Sequence, residues 1–289
     1  MHEERLPAAL RQRLSRYQLV SPRRGAHSSL QGVHRGRRRG RSLEFAEHRD
    51  YVSGDDLRHL DWNAFARHEK LVVKEFESEL ERVVLVVVDL SESMGPLKRQ
   101  RALQAAAALA WVGLLGHDRV ALATLGARPG FHPAVRGRAA WGRLTDWLWQ
   151  QPVGGRAGLV EGLRGLAQRL PRHNLMLILS DWLEPQAWEG LAYPQFCRHE
   201  LRALQLLDSE DRLPPWSGPL ELQDCESGEL RQIHLEEGTR QLYLQALASH
   251  LQELSQACQR RGFSWLSWQV EQPLESLLLQ AWVQQGWLR

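Results

Sequence analysis

Asp89, Ser91 and Ser93 follow an unbroken apolar run over residues 83–88. A second apolar run, 174–179, ends in Ser180 and Asp181. An acid, two hydroxyls at alternate positions and a second acid at neighbouring strand ends would make an oxygen-rich pocket. Hard cations such as Mg²⁺ take that donor set and tolerate retained waters. Asp89 and Ser91 equally suit a helix cap and a tight turn. A nucleophilic Asp89, as in a Mg²⁺-dependent phosphohydrolase, would call for an acid two residues on, and position 91 is Ser. The chain holds no H-E-x-x-H, G-x-S-x-G or G-x-x-x-x-G-K-[ST] motif, so it is not itself a P-loop ATPase. No residue is singled out as catalytic.

The elements that must hold these residues are legible as an alternation. Unbroken apolar runs suit strands buried on both faces of a parallel sheet. Residues 83–88, 119–125, 174–179, 200–207 and 263–268 read as strands. Residues 98–115, 140–149, 159–170 and 238–261 read as amphipathic helices, and Pro273 starts a last one. The β-α-β order predicts an α/β fold with a doubly wound, mostly parallel, Rossmann-like sheet over 81–289. Ligands bind such sheets outside the carboxyl ends of the strands. Residues 208–235, with Pro214-Pro215, Gly218-Pro219 and Ser227-Gly228, read as a β-rich insertion. Residues 1–80 read as an irregular, partly β N-terminal subdomain. It has a short amphipathic helix near 7–17, with leucines at 10 and 14, and a strand at 70–76. The twelve tryptophans read mostly as core packing.

Composition is that of a globular chain, with 43% hydrophobic and 25% charged residues over 289 positions. The formal net charge of +3 argues for no partner. The charge is uneven, however: Arg35, Arg37, Arg38, Arg39 and Arg41 stand in a stretch nearly free of acids. Such a run could bind nucleic acid. No aromatic residue is interleaved as a stacking platform, so pairing with carboxylates of the fold is the better reading. Cys197, Cys225 and Cys258 stand far apart, as expected of reduced thiols in the cytoplasm. Neither a signal peptide nor a membrane-spanning segment is expected; the apolar stretch 105–115 is too short to span a bilayer.

Asp89-Leu90-Ser91-Glu92-Ser93 resembles the metal-ion-dependent adhesion site of von Willebrand factor type A domains. In that family the serines bind the metal, the acids act through water, and a partner's carboxylate completes the shell. The resemblance implies a von Willebrand factor type A-like domain with Asp89, Ser91, Ser93 and Asp181 around the metal. The family's threonine is missing. Register through Leu159 and Leu163 puts Ala157 in its place, beside Arg156. A methyl group cannot ligate a metal, so weak or absent Mg²⁺ binding is expected. An inward Arg156 would supply the positive charge instead.

A second resemblance covers nearly the whole chain. Arg49-Asp50-Tyr51, then Gly54-Asp55-Asp56-Leu57-Arg58-His59-Leu60-Asp61-Trp62 and Ala66-Arg67 resemble the signature of the family called domain of unknown function 58. Lys74-Glu75-Phe76-Glu77, Ser180-Asp181-Trp182, Leu207-Asp208-Ser209-Glu210, Asp224 and Gly228 fit as well. The turn at Gly54 would gather Asp55, Asp56, Arg58 and Asp61 into a salt-bridged network. Removing Arg58 or Asp61 from it would cost roughly 3–5 kcal/mol. Members of this family resemble partners of MoxR-type AAA+ ATPases in the assembly or activation of other proteins. The resemblance therefore implies a cytoplasmic, non-enzymatic protein-interaction module. The alternatives are a Mg²⁺-dependent phosphohydrolase and a nucleic-acid binder acting through the arginine run.

Overall fold

The computed structural model describes residues 5–20, 43–52, 60–68, 70–78, 82–126, 128–154, 158–168, 174–224 and 228–289. In chain order the first elements are α1 (Ala8–Leu14), β1 (Leu43–Asp50), α2 (Trp62–His68), β2 (Val72–Ser78), β3 (Val83–Asp89), α3 (Pro96–Leu115), β4 (Arg119–Leu125) and β5 (Gly130–Val135). There follow α4 (Trp141–Trp149), α5 (Leu159–Ala167), β6 (Asn174–Ser180), β7 (Glu200–Leu207), α6 (Ser209–Arg212), β8 (Gly218–Gln223), β9 (Leu230–Leu235), α7 (Glu237–Arg260) and β10 (Ser264–Gln269). A last helical stretch runs through α8 (Leu274–Ser276), a π turn (Leu277–Ala281) and α9 (Trp282–Gln284). The chain divides into two units, Met1–His27 with Arg82–Arg289, and Ser28–Glu81.

The larger unit is a six-stranded sheet in the order β10-β7-β6-β3-β4-β5. Every pairing is parallel except that of β5 with β4. The architecture is thus mixed α/β with a mostly parallel, Rossmann-like sheet. Strand order reverses between β3 and β6, which sets the switch point there. The apolar run in β3 has a direct cause. Val84, Val86 and Val88 enter the core on one face of the sheet, and Leu85 and Val87 enter the core on the other. Each buried side chain of this kind contributes roughly 1.5–3 kcal/mol relative to exposure.

The first face is covered by α3. Its Ala102, Ala105, Ala106 and Ala108 are fully buried, and their small side chains let a twenty-residue helix lie close to the sheet. Trp111 and Trp141 close its outer side edge to face, 5.5 Å apart. Here the expected boundary at residue 80 differs from the fold. Helix α1 belongs to the sheet unit, because Leu6, Leu10 and Leu14 share the core that contains α3. The Trp111 indole N–H donates to the Arg11 carbonyl at 3.0 Å.

Strand β5 was not anticipated from sequence. It is an antiparallel edge strand carrying Pro133, a residue that only an edge tolerates. Strands β8 and β9 pair as an antiparallel hairpin.

The smaller unit pairs β1 with β2 antiparallel, with a register shift between Phe45 and Glu47. Leu60 and Val73 are buried and bridge antiparallel. The tryptophans are mostly core, but Trp62 is 62% exposed and Trp216 is 45% exposed. Among the described residues no helix is long and apolar enough to cross a membrane. Cys197 is exposed and Cys258 is buried, both unbridged, and burial pushes the Cys258 thiol up to about 12. Cys225 and the arginines at 35–41 lie outside the described residues.

Candidate functional site

In the register of β3 with β6, Val88 stands opposite Leu179. Asp89 therefore meets Ser180 at the carboxyl ends of both strands. The Ser180 hydroxyl donates to Asp89 Oδ2 at 2.7 Å, and the Ser91 main-chain N–H donates to Asp89 Oδ1 at 2.9 Å. Both carboxylate oxygens thus serve to hold neighbouring segments in place. Burial raises the Asp89 pKa above the ordinary carboxylate value; the bonds from Ser91 and Ser180 pull against it, and Asp181 pushes with it.

The loop after Asp89 is fixed by its backbone. Leu90 donates its N–H to the Leu125 carbonyl at 3.0 Å and accepts from the Gly154 N–H at 2.8 Å. Two glycines permit this. Gly126 has φ +129, and an added Cβ would lie 3.3 Å from the Leu90 backbone; Gly154 has φ +88, and its Cβ would strike the Glu92 carboxylate. Ser91 and Ser93 then face one another with their hydroxyl oxygens 3.1 Å apart. Glu92 and Met94 belong to a single 3₁₀ turn, and Pro96 opens α3 at its first position.

Asp181 reaches the same end of the sheet from β6. Its Oδ1 accepts from the Leu183 N–H at 3.2 Å, and its Oδ2 accepts from the Lys98 ammonium at 3.2 Å. Lys98 lies in the first turn of α3, almost wholly buried. It also donates to both oxygens of Asp211, at 3.1 and 2.8 Å. Its three donors thus meet three carboxylate oxygens. Burial lowers the Lys98 pKa, but Asp181 and Asp211 together outweigh that and leave it raised. Burial raises the Asp211 pKa despite Lys98. Two acids share one ammonium, so the group retains excess negative charge. Asp211 is held by a capping box with Asp208 on α6, and the Tyr243 hydroxyl on α7 donates to its carbonyl.

The structure therefore brings Asp89, Ser91, Ser93 and Asp181 to one end of the sheet. The charge facing Asp181 is Lys98, which sequence reasoning passed over, along with Ser180 as a partner of Asp89 and Asp211. Arg156 and Ala157 lie outside the described residues. Among the described residues, no group of three or more His, Cys, Asp or Glu is placed to hold a metal ion.

Of the signature residues, Asp55, Asp56 and Arg58 lie outside the described residues, as does the Arg49 side chain. Tyr51 donates its N–H to the Leu71 carbonyl at 2.9 Å. Trp62 lies edge to face on Phe65, and Arg67 is exposed. Asp61 is buried and caps α2: its Oδ1 accepts from the N–H groups of Asn63 at 2.9 Å and Ala64 at 3.1 Å. The cap alone is worth about 1–2 kcal/mol, so Asp61→Ala is expected to cost the smaller unit at least that much. Urea denaturation measures it: a loss of about 3–5 kcal/mol is what an ion-pair network through Asp61 would add up to, and no loss would remove both roles.

Comparisons with known proteins cover much of the chain but not all of it. Uncharacterized protein Rv1480 of Mycobacterium tuberculosis is 32% identical over 247 residues, covering 82% of this chain and 78% of its own. Uncharacterized protein MAV169 of Mycobacterium avium is 30% identical over 111 residues, covering 38% of this chain and 66% of its own. Among solved structures, the conserved hypothetical protein BatB from Bacteroides thetaiotaomicron is similar at a TM-score of 0.39 and 14% identity, covering 71% of this chain and 97% of its own. The model of the family described as protein of unknown function DUF58 matches residues 47–253, and the chain belongs to that family.

Proposed function

We propose that the chain is a non-enzymatic, cytoplasmic protein-interaction module of von Willebrand factor type A-like architecture. It docks its partner at the loop from Leu90 to Gly95, at the switch point of the sheet. The observation that carries this reading is the use of Asp89. Both of its oxygens already accept hydrogen bonds, one from the loop at Ser91 and one from Ser180 at the end of β6, which disfavours it as the attacking group of a phosphohydrolase. The loop in turn presents half-buried Ser93 and exposed Glu92. The family resemblance suggests the partner, a MoxR-type AAA+ ATPase that acts on a third protein. Magnesium is weakly held or dispensable in this reading.

The test is recovery of the partner from the native host in the presence of ATP, using tagged protein and a Ser93→Tyr variant. Added bulk at Ser93 obstructs the loop without entering the core. An AAA+ ATPase is expected with the unmodified protein. Its affinity for the variant should fall at least tenfold, which is about 1.4 kcal/mol. Equal binding by the variant would move the docking face elsewhere. Mg²⁺-dependent hydrolysis of a phosphoester, lost in Asp89→Asn, would replace the module with an enzyme.

A further inference from the structure

The hydroxyls of Ser91 and Ser93, 3.1 Å apart, have the spacing of adjacent ligands on an octahedral Mg²⁺, about 3.0 Å for bonds of about 2.1 Å. The acid side of the site does not match. Asp181 already faces a buried ammonium at 3.2 Å, and a divalent cation beside it would sit against a fixed like charge. The described residues therefore do not fit a metal-ion-dependent adhesion site of ordinary strength.

We propose that Lys98 is the resident cation of this site, a tethered ammonium between Asp181 and Asp211 that takes the place a divalent metal would otherwise fill. Three features support it. Lys98 has no donor left for a ligand, because all three meet carboxylate oxygens, so its role is internal. It is carried by α3, whose start is set by the same loop that holds Ser91 and Ser93. It also joins two separate segments, β6 with its Asp181 and α6 with its Asp211. A free metal ion bridges segments in the same way, but a tethered ammonium does so at any Mg²⁺ concentration. The docking loop is then assembled without a metal, and chelators leave it intact.

The inference builds on the docking-loop reading, but its test reads cation response and not partner capture, so either can fail alone. Thermal unfolding is followed in EDTA and in millimolar magnesium or manganese chloride. Titration calorimetry with Mn²⁺ accompanies it. The unmodified protein is expected to melt at the same temperature in both buffers. Lys98→Ala leaves Asp181 and Asp211 facing a hole. Its melting temperature should fall by roughly 6–15 °C in EDTA. The divalent cation should restore at least half of that loss, with Mn²⁺ bound at least tenfold tighter than by the unmodified protein. Lys98→Gln, which keeps a donor and most of the volume, is made alongside as the variant better placed to fold; a smaller restoration of the same sign is expected. A melting temperature of the unmodified protein that rises with Mg²⁺, or tight Mn²⁺ binding by it, overturns the proposal. So does a folded Lys98 variant that is indifferent to the cation.

Discussion

Trp182→Ala is expected to destabilise the sheet unit by about 3–5 kcal/mol, the usual cost of deleting a large buried aromatic. The side chain has no exposed surface and sits in the core on the α5 and α7 side of the sheet. Its indole N–H donates to the Leu204 carbonyl at 3.2 Å, and its ring meets Trp265 edge to face at 5.8 Å. The backbone of Trp182 is itself unusual, with φ +58. A left-handed conformation costs a non-glycine residue roughly 1–2 kcal/mol, so surrounding contacts must enforce it. They are visible: the Trp182 N–H donates to the Ser180 hydroxyl, and His250 meets the Trp182 carbonyl at 2.6 Å. The twist aims Asp181 at Lys98 while Ser180 turns to Asp89. Trp182→Gly opens the same cavity but relieves the strain, and should therefore be no less stable than Trp182→Ala. Denaturant unfolding of the two variants separates packing from strain. A loss below about 1 kcal/mol in Trp182→Ala would mean that the ring is not part of the core.

This pairing of strain and packing marks the limit of what the sequence makes legible. Strands β3 and β6 could be read because burial on both faces leaves nothing but apolar residues, and their polar ends point to the switch point. Asp89, Ser91, Ser93 and Asp181 lie at or just past those ends. Lys98 and Asp211 did not. They lie in the first turns of helices and are separated by 113 positions. A lysine there is ordinarily solvated, and only the closing of the fold buries it. β1 was invisible for a similar reason: Glu44, Glu47, His48, Arg49 and Asp50 carry no apolar alternation. Asp61 carries two signals, one of them the charged neighbours that point to an ion-pair network, most of which lie outside the described residues. The more local signal, an acid two and three residues ahead of the N–H groups of a short helix, gives the capping role the structure displays.

Asp89→Asn is expected to separate stability from binding. An asparagine can keep the geometry: its carbonyl accepts from the Ser91 N–H, and its amide donates to the Ser180 hydroxyl, which has a second lone pair beside the one used by Trp182. What changes is charge. Burial holds the folded pKa of Asp89 above its unfolded value, so the folded state binds a proton more readily than the unfolded chain. The associated stability is present below the ordinary carboxylate range and is lost as pH rises through the raised value. At neutral pH the acid is thus a burden on the fold, and the neutral variant should melt no lower than the unmodified protein. Its advantage should grow between acidic and neutral pH. Partner affinity should fall at least tenfold over the same change, because the docking loop loses the negative charge at its base. A residue retained against the interest of stability, and needed for binding, is what a functional site contains. If the unmodified protein instead gains on the variant as pH rises, Asp89 is a structural acid held by its hydrogen bonds. The docking loop must then draw its specificity from Glu92 and Ser93 alone.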